Sequence, residues 1–286
     1  LGHQVKTLLR EYGCEHFAAL MHMHFSIRAS VASLFIPAKI KLGFDKERAK
    51  DMQSWFCNSQ ITPASTRQHV LDSFLEFPAS FGLEPVYEWR LPVSSQARAS
   101  VTEKAGITAG TGILVINPCA VAKSKNWRNW TDEGYAAVAD HAASTHSMKV
   151  IICGGPSEIE RQTAASIMAL CETAEPVNLV GKTSIDELVA LLDLAEVVIA
   201  PDTGPVHIAS ALGTKTIGLY AATNPQRAGP YRFMDAVVNQ YPQALLNYHD
   251  MSVEQAPWGK RIKTAECMSL ITASQVTDQL DASLKS

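Results

Sequence analysis

The sequence predicts an α/β protein built on a doubly wound parallel sheet, and three observations predict it. Short apolar runs rich in Val and Ile alternate with helical stretches, most clearly after residue 110. Those runs close on turn residues, as in Gly154-Gly155-Pro156 and Asp202-Thr203-Gly204-Pro205. A chain of 286 residues is long enough for two domains. With 47% hydrophobic and 19% charged residues the chain is globular rather than disordered. A net charge of −3 gives no general attraction for nucleic acid. No apolar run approaches the roughly 18–20 residues that span a bilayer.

The elements follow in order. Val5–Gly13 reads as the end of a helix closed by glycine. No signal-peptide pattern is present. Because an α/β domain would here open in mid-helix, a first strand is expected to lie ahead of Leu1. Phe17–Met23 reads as a buried strand, Ile27–Phe35 as a helix, and Ala38–Phe44 as a second strand. His69–Phe81 carries helical periodicity and ends at Gly82. The polar, proline-bearing stretch Leu91–Ser100 reads as a linker, which sets the domains at 1–100 and 101–286. Beyond it, strands are expected at Ile113–Asn117, Lys149–Cys153, Val177–Val180, Val197–Ala200 and Thr216–Tyr220. Helices are expected at Thr131–Ser144, Ser157–Thr173 and Ser184–Leu194, the last opened by a Ser184/Glu187 capping box. A final helix, Ala273–Leu284, is expected to pack back on the first domain. The six cysteines are scattered, with no C-x-x-C pair, which fits a reducing cytoplasmic setting. Cys119 and Cys153 fall in or beside buried strands.

In parallel sheets ligands bind beyond the carboxyl ends of the strands, and the chemistry-bearing motifs lie there. Ala200–Gly213 is the most informative. A β-branched strand ends in Asp202-Thr203-Gly204-Pro205 and opens a helix of small residues. Pro205 suits a first helical turn, and Asp202 or Thr203 can cap it. Free N–H groups at such a start bind anions. An ordinary βα turn would share the pattern. His207 lies one turn in, within reach of a bound phosphate. The loop Asn117–Trp130 brings Lys123, Lys125 and Arg128 to the same edge, with Arg128 between two tryptophans. A rigid cation there would steady a diphosphate leaving group, and Arg128 is favoured for it. A solvated basic loop is the alternative. Glu158 could accept hydrogen bonds from ribose hydroxyls or merely favour the helix start. Thr183, in Gly181-Lys182-Thr183-Ser184, could frame a base pocket.

Other chemistries fit less well. Gly110-Thr111-Gly112 lacks the third glycine of the dinucleotide fingerprint, and no G-x-S-x-G elbow or Walker lysine loop is present. His22 and His24 share one face of the first strand, but no third ligand has a recognisable spacing, so no metal site is expected.

Asp202-Thr203-Gly204-Pro205-Val206-His207 resembles glycosyltransferase family 9, the heptosyltransferases of lipopolysaccharide core assembly. The likeness continues through Ala211–Tyr220, Thr223-Asn224-Pro225 and Gly229-Pro230-Tyr231. Gly154–Glu158, Leu179–Thr183 and Asn129–Glu133 look like family segments in the same order, and Leu42–Asp45 and His69–Asp72 resemble it more loosely. The resemblance implies two Rossmann-like domains facing a cleft, of the GT-B type, the first here lacking its N-terminal strand. It implies metal-independent, inverting transfer of heptose from ADP-heptose to an acceptor sugar on the lipid A–core, at the inner face of the inner membrane, with no cofactor. The pyrophosphate would sit at Thr203, Gly204 and Pro205 near His207, with Arg128 on the phosphates, Glu158 at the ribose and Thr183 at the base. Arg28 would meet the acceptor on the first domain.

Two departures matter. Cys119-Ala120-Val121 stands where the family often has glycine and a small hydroxyl residue, which removes a phosphate contact. The family's aspartate loop, which carries the proposed general base, is absent and is expected N-terminal to Leu1. Asp45 and Asp202 are base candidates by elimination. A nucleotide-sugar epimerase or hydrolase, and a non-catalytic nucleotide-sugar binding module, are the competing readings.

Overall fold

The computed structural model describes residues 16–62, 67–120 and 126–285, with Thr7, residues 9–11 and Gly13. Lys123, Lys125, Cys14 and much of the expected N-terminal helix end lie outside the described residues. The chain divides into two units, Leu1–Tyr87 and Glu88–Ser286.

The first unit holds a parallel three-stranded sheet in the order β1 (Phe17–Met21), β2 (Ala38–Gly43), β3 (Ser59–Gln60). Helix α1 (Ile27–Ser33) connects β1 to β2, and α2 (Val70–Ala79) follows β3. The β2 strand ends where Phe44 enters a small aromatic core. Its ring stacks on Phe25 at 4.5 Å and meets the Phe77 ring edge-on at 4.9 Å. Gly43 is fixed by a close approach, because a Cβ there would stand 2.6 Å from Cys57 Sγ. Strand β1 stops at Met21, two residues before the expected end. His22 therefore leaves the sheet, and its buried Nε2 lies 3.1 Å from Ser30 Oγ while Gln53 Nε2 donates to the His22 and His24 carbonyls. The pair is thus a loop packed by Gln53, not two ligands on one strand face. Burial, with His24 and Lys41 nearby, holds the His22 pKa below its ordinary value.

The second unit opens with a helix where a linker was expected. Residues Ser95–Ala105 form α3, capped by the Ser94 hydroxyl, and bury Ala97, Val101 and Ala105. Prolines and serines just ahead of it mark a helix N-terminus, so the composition signal was real but its extent was misjudged. The sheet then runs β4 (Ile113–Ile116), β5 (Lys149–Ile152), β6 (Val177–Asn178), β7 (Val197–Pro201), β8 (Lys215–Tyr220) and β9 (Val238–Asn239). All pairs are parallel, in the spatial order β6-β5-β4-β7-β8-β9. Successive strands leave β4 toward one edge and then, from β7, toward the other. The order reverses between β4 and β7, where doubly wound sheets bind ligands.

Helices α4 (Asp132–His146), α5 (Glu158–Leu170), α6 (Ile185–Leu194), α7 (Gly204–Leu212), α8 (Pro225–Ala228) and α9 (Tyr241–His249) follow their strands. The expected capping box forms, with Ser184 accepting from Glu187 N and the Glu187 carboxylate accepting from Ser184 N. Strand β9 and α9 had not been expected, since Val238-Asn239 is too short to stand out as a periodic run. The last helix, α10 (Ala273–Lys285), packs along α4 and the strands of its own unit, burying Val276 and Leu280. Lys215 Nζ donates to the Ser283 carbonyl and ties its end down.

Candidate anion-binding site

The two loops that flank the switch point are the ones after β4 and β7. Strand β7 is buried along its whole length, as a central parallel strand of Val, Ile and Ala should be. It delivers Asp202 and Thr203 to the sheet edge. Thr203 occupies the N-cap of α7 in extended backbone (φ −151°, ψ 167°) but makes no side-chain capping bond. Its hydroxyl donates to the Ala120 carbonyl instead, at 3.3 Å. The Asp202 carboxylate is likewise engaged elsewhere. The expected side-chain cap is therefore missing, and the first N–H groups of α7 are left for another partner. A Cβ on Gly204 would meet no atom within 4 Å, so open space stands at this helix start.

The loop after β4 is built on asparagines. Asn129 Oδ1 accepts from Ala120 N and from Asn126 Nδ2, and Asn126 Oδ1 accepts from Arg128 N. Trp130 anchors it. The indole is buried, donates to the Ile271 carbonyl at 2.9 Å, and meets Tyr135 edge-on at 5.0 Å. Gly134 makes the room, since a Cβ there would lie 2.4 Å from the Trp130 ring. One of the two tryptophans beside Arg128 thus fixes the loop through its ring.

Arg128 crosses the switch point. Its Nη1 donates to the Asp202 carbonyl at 2.7 Å and lies 3.5 Å from Asp202 Oδ2. His207 Nε2 lies 3.6 Å from the other carboxylate oxygen, which is ion-pair range but too long for a hydrogen bond. Burial alone would raise the Asp202 pKa, but His207, the Arg128 charge and Thr223 outweigh it and hold the carboxyl below its usual range. Asp202 therefore stays ionised and is a poor proton acceptor. Its role here is to orient Arg128 and His207, both of which keep exposed surface.

Sequence reading missed one part of this site. Thr223, Asn224, Arg227, Lys260 and Arg261 line a cavity of about 20 Å³ beside Asp202. Burial, and then repulsion from Arg261, lower the Arg227 pKa, although arginine stays charged. Arg227 lies just past the carboxyl end of β8, and that position was the available signal. Lys260 and Arg261 come from a loop without periodicity and gave none.

The remaining expectations separate. Glu158 is exposed at the start of α5, accepting from Gln162 at 3.0 Å with Arg161 at 3.7 Å. The neighbouring Glu160 is the buried one. It accepts from Gly155 N at 2.7 Å and Ser157 Oγ at 2.5 Å, and so closes the glycine turn. Thr183 is half-buried in the loop after β6, which Gly181 N ties to the Gly154 carbonyl. Arg28 is exposed on α1 of the first unit. Asp45 is no free base, because its carboxylate accepts from Glu47 N, Arg48 N and Arg48 Nε, and Arg48 reaches Glu76 at 2.6 Å. Burial pushes the Cys119 thiol up to about 11, and Thr163 and Asn129 only partly offset this, so it is inert at neutral pH.

Comparison with known proteins decides the family. The family model for glycosyltransferase family 9 (heptosyltransferase) matches residues 5–255. The chain belongs to glycosyltransferase family 9. Among family relatives, the lipopolysaccharide core heptosyltransferase OpsX of Haemophilus influenzae is 35% identical over 279 residues, 96% of this chain and 78% of that protein. The family 9 structure from Veillonella parvula matches with a TM-score of 0.75 at 18% identity, covering 99% of this chain and 78% of that one. ADP-heptose heptosyltransferase II of Escherichia coli matches with a TM-score of 0.68 at 18% identity, covering 99% and 80%. At such identities these structures establish the shared family fold. Among the described residues, no helix is long and apolar enough to cross a membrane.

Proposed function

We propose that this chain transfers heptose from ADP-heptose to the lipopolysaccharide inner core, with inversion and without a metal or other cofactor, at the inner face of the inner membrane. The observation that carries this reading is Arg128 held across the switch point onto Asp202, beside the uncapped start of α7. A diphosphate seated there meets the α7 amides, the Arg128 guanidinium and the His207 imidazole. In the reaction the bond between the anomeric carbon and the diphosphate breaks as the acceptor hydroxyl oxygen attacks from the opposite face. Negative charge grows on the departing phosphate, and donors fixed before the reaction stabilise it more than they stabilise the intact donor. Glu158 is assigned to the ribose, Thr183 to the base, and Arg28 on the first unit to the acceptor sugar. The acceptor hydroxyl's proton passes to a general base other than Asp45, which is locked to Arg48, and Asp202, whose pKa is depressed.

The test is to incubate the protein with ADP-heptose and heptose-free core lipid, with and without EDTA, and weigh the lipid. A gain of one heptose that survives EDTA is expected. Gain only from a different sugar nucleotide, or donor consumption that needs no acceptor, would overturn the reading. The second result would favour an epimerase or hydrolase.

A further inference from the structure

Far from the switch point, the last turn of α4 meets α10. His141 and His146 come from α4, and Asp281 comes from α10. Both imidazoles turn the same nitrogen, Nε2, to the same oxygen, Asp281 Oδ1, each at 2.7 Å. The rings stand edge to face with centroids 5.4 Å apart. The three ligand-type atoms lie within 4.8 Å of one another. All three side chains are between a fifth and a third exposed, so solutes reach them while the helices hold them.

We propose that His141, His146 and Asp281 form a binding site for a divalent transition metal of the zinc class, which clasps α10 to α4. Two imidazole nitrogens and one carboxylate oxygen are a common zinc donor set, with a fourth position left to water. As described, each ring must carry its proton on Nε2 to approach the carboxylate. A metal occupies Nε2 of both rings in place of those protons, and each neutral ring then carries its single proton on Nδ1. For His141 that proton has a partner, because Nδ1 lies 3.5 Å from Thr145 Oγ1 one turn along the helix. An outer hydrogen bond of this kind fixes the tautomer and orientation of a metal-bound imidazole. A tetrahedral zinc shell sets neighbouring ligand atoms roughly 3.4 Å apart, which small rotations of these part-exposed side chains satisfy. The site pins a helix that otherwise rests on Val276, Leu280 and the Lys215–Ser283 contact. It is independent of the proposed transfer chemistry, so either idea can fail alone.

The test is to strip the whole chain with EDTA, titrate zinc chloride, and read stoichiometry by calorimetry and Tm by thermal melting. One zinc per chain, micromolar or tighter, with a rise in Tm, is expected. The double variant His141→Ala/His146→Ala should lose both effects. Asp281→Asn keeps the shape and should fold normally, yet bind zinc at least tenfold more weakly. Thr145→Val should weaken binding about tenfold by removing the outer partner. Absence of saturable binding, or binding that persists unchanged in the double variant, would overturn the proposal.

Discussion

Two clusters in this molecule use the same residue types to opposite ends. In the first unit, Arg48 lies between Asp45 and Glu76, and all three side chains are at least 86% buried. At the switch point, Arg128 and His207 flank Asp202, but Arg128 keeps 26% and His207 44% of its surface exposed. Each cluster contains an aspartate just past a strand end. In the first, two carboxylates face one guanidinium, and Asp45 also accepts from two backbone amides of its own loop. In the second, two basic groups share one carboxylate, beside a helix start that its N-cap residue Thr203 does not cap through its side chain. The first arrangement has no positive charge to spare, so it holds the chain in place. The second leaves positive potential facing solvent, where an anion can take it up.

The sharpest way to break this comparison is to remove each arginine. Arg48→Met strands two buried carboxylates, and loss of one partner from such a cluster costs about 3–5 kcal/mol. The first unfolding transition in urea should move by that amount, while donor binding by the second unit stays intact. Arg128→Met removes one part-exposed donor and should move the second transition by only about 1 kcal/mol. Under the proposed function it should lower kcat about 100- to 1000-fold, the usual cost of deleting one donor to developing charge. If Arg128→Met instead unfolded the protein and left kcat unchanged, the two clusters would be alike and the assignment of the second would fall.

Much of this was readable beforehand, for identifiable reasons. The strands of the second unit are runs of Val, Ile and Leu buried on both faces, and the Ser184 box and Pro205 mark helix starts locally. Asp202, His207 and Arg128 stood out because strand ends in a parallel sheet share one edge. What escaped depends on tertiary packing. Asp45 looked available until Arg48 and Glu76 were seen to enclose it. Thr203 looked like a cap, but its hydroxyl reaches Ala120, 83 residues away in sequence. His141 and His146 lie 140 and 135 residues from Asp281, so no spacing rule could join them. The helix at Ser95–Ala105 was hidden by a polar face that resembles a linker.

The glutamates of α5 give a smaller version of the same contrast. Glu160→Gln replaces an acceptor that holds Gly155 N and Ser157 Oγ, and a disrupted buried hydrogen-bond pair costs about 1–3 kcal/mol. Glu158→Gln, on the exposed side, should shift stability by less than about 0.5 kcal/mol. It should raise KM for the nucleotide sugar and leave kcat nearly unchanged. Urea midpoints and steady-state kinetics on the two variants separate the outcomes. A KM effect from Glu160→Gln without loss of stability would reverse their roles.

The smallest effect tests the charge at the switch point directly. The Asp202 carboxyl is held below its ordinary pKa despite burial, by His207, Arg128 and Thr223. A depressed pKa means that folding favours the ionised form. Its contribution to stability is fully present above the unfolded value, about 3.9. That contribution disappears as pH falls through the lower, folded value. Asp202→Asn keeps the size and removes the charge, so it should be less stable than the parent at pH 6. The gap should close as the pH is lowered toward 3. Urea midpoints of the two proteins measured stepwise from pH 6 to pH 3 give the curve. A gap that stayed constant or widened toward low pH would mean that the Asp202 charge is not what Arg128 and His207 recognise, and the switch-point cluster would lose its electrostatic basis.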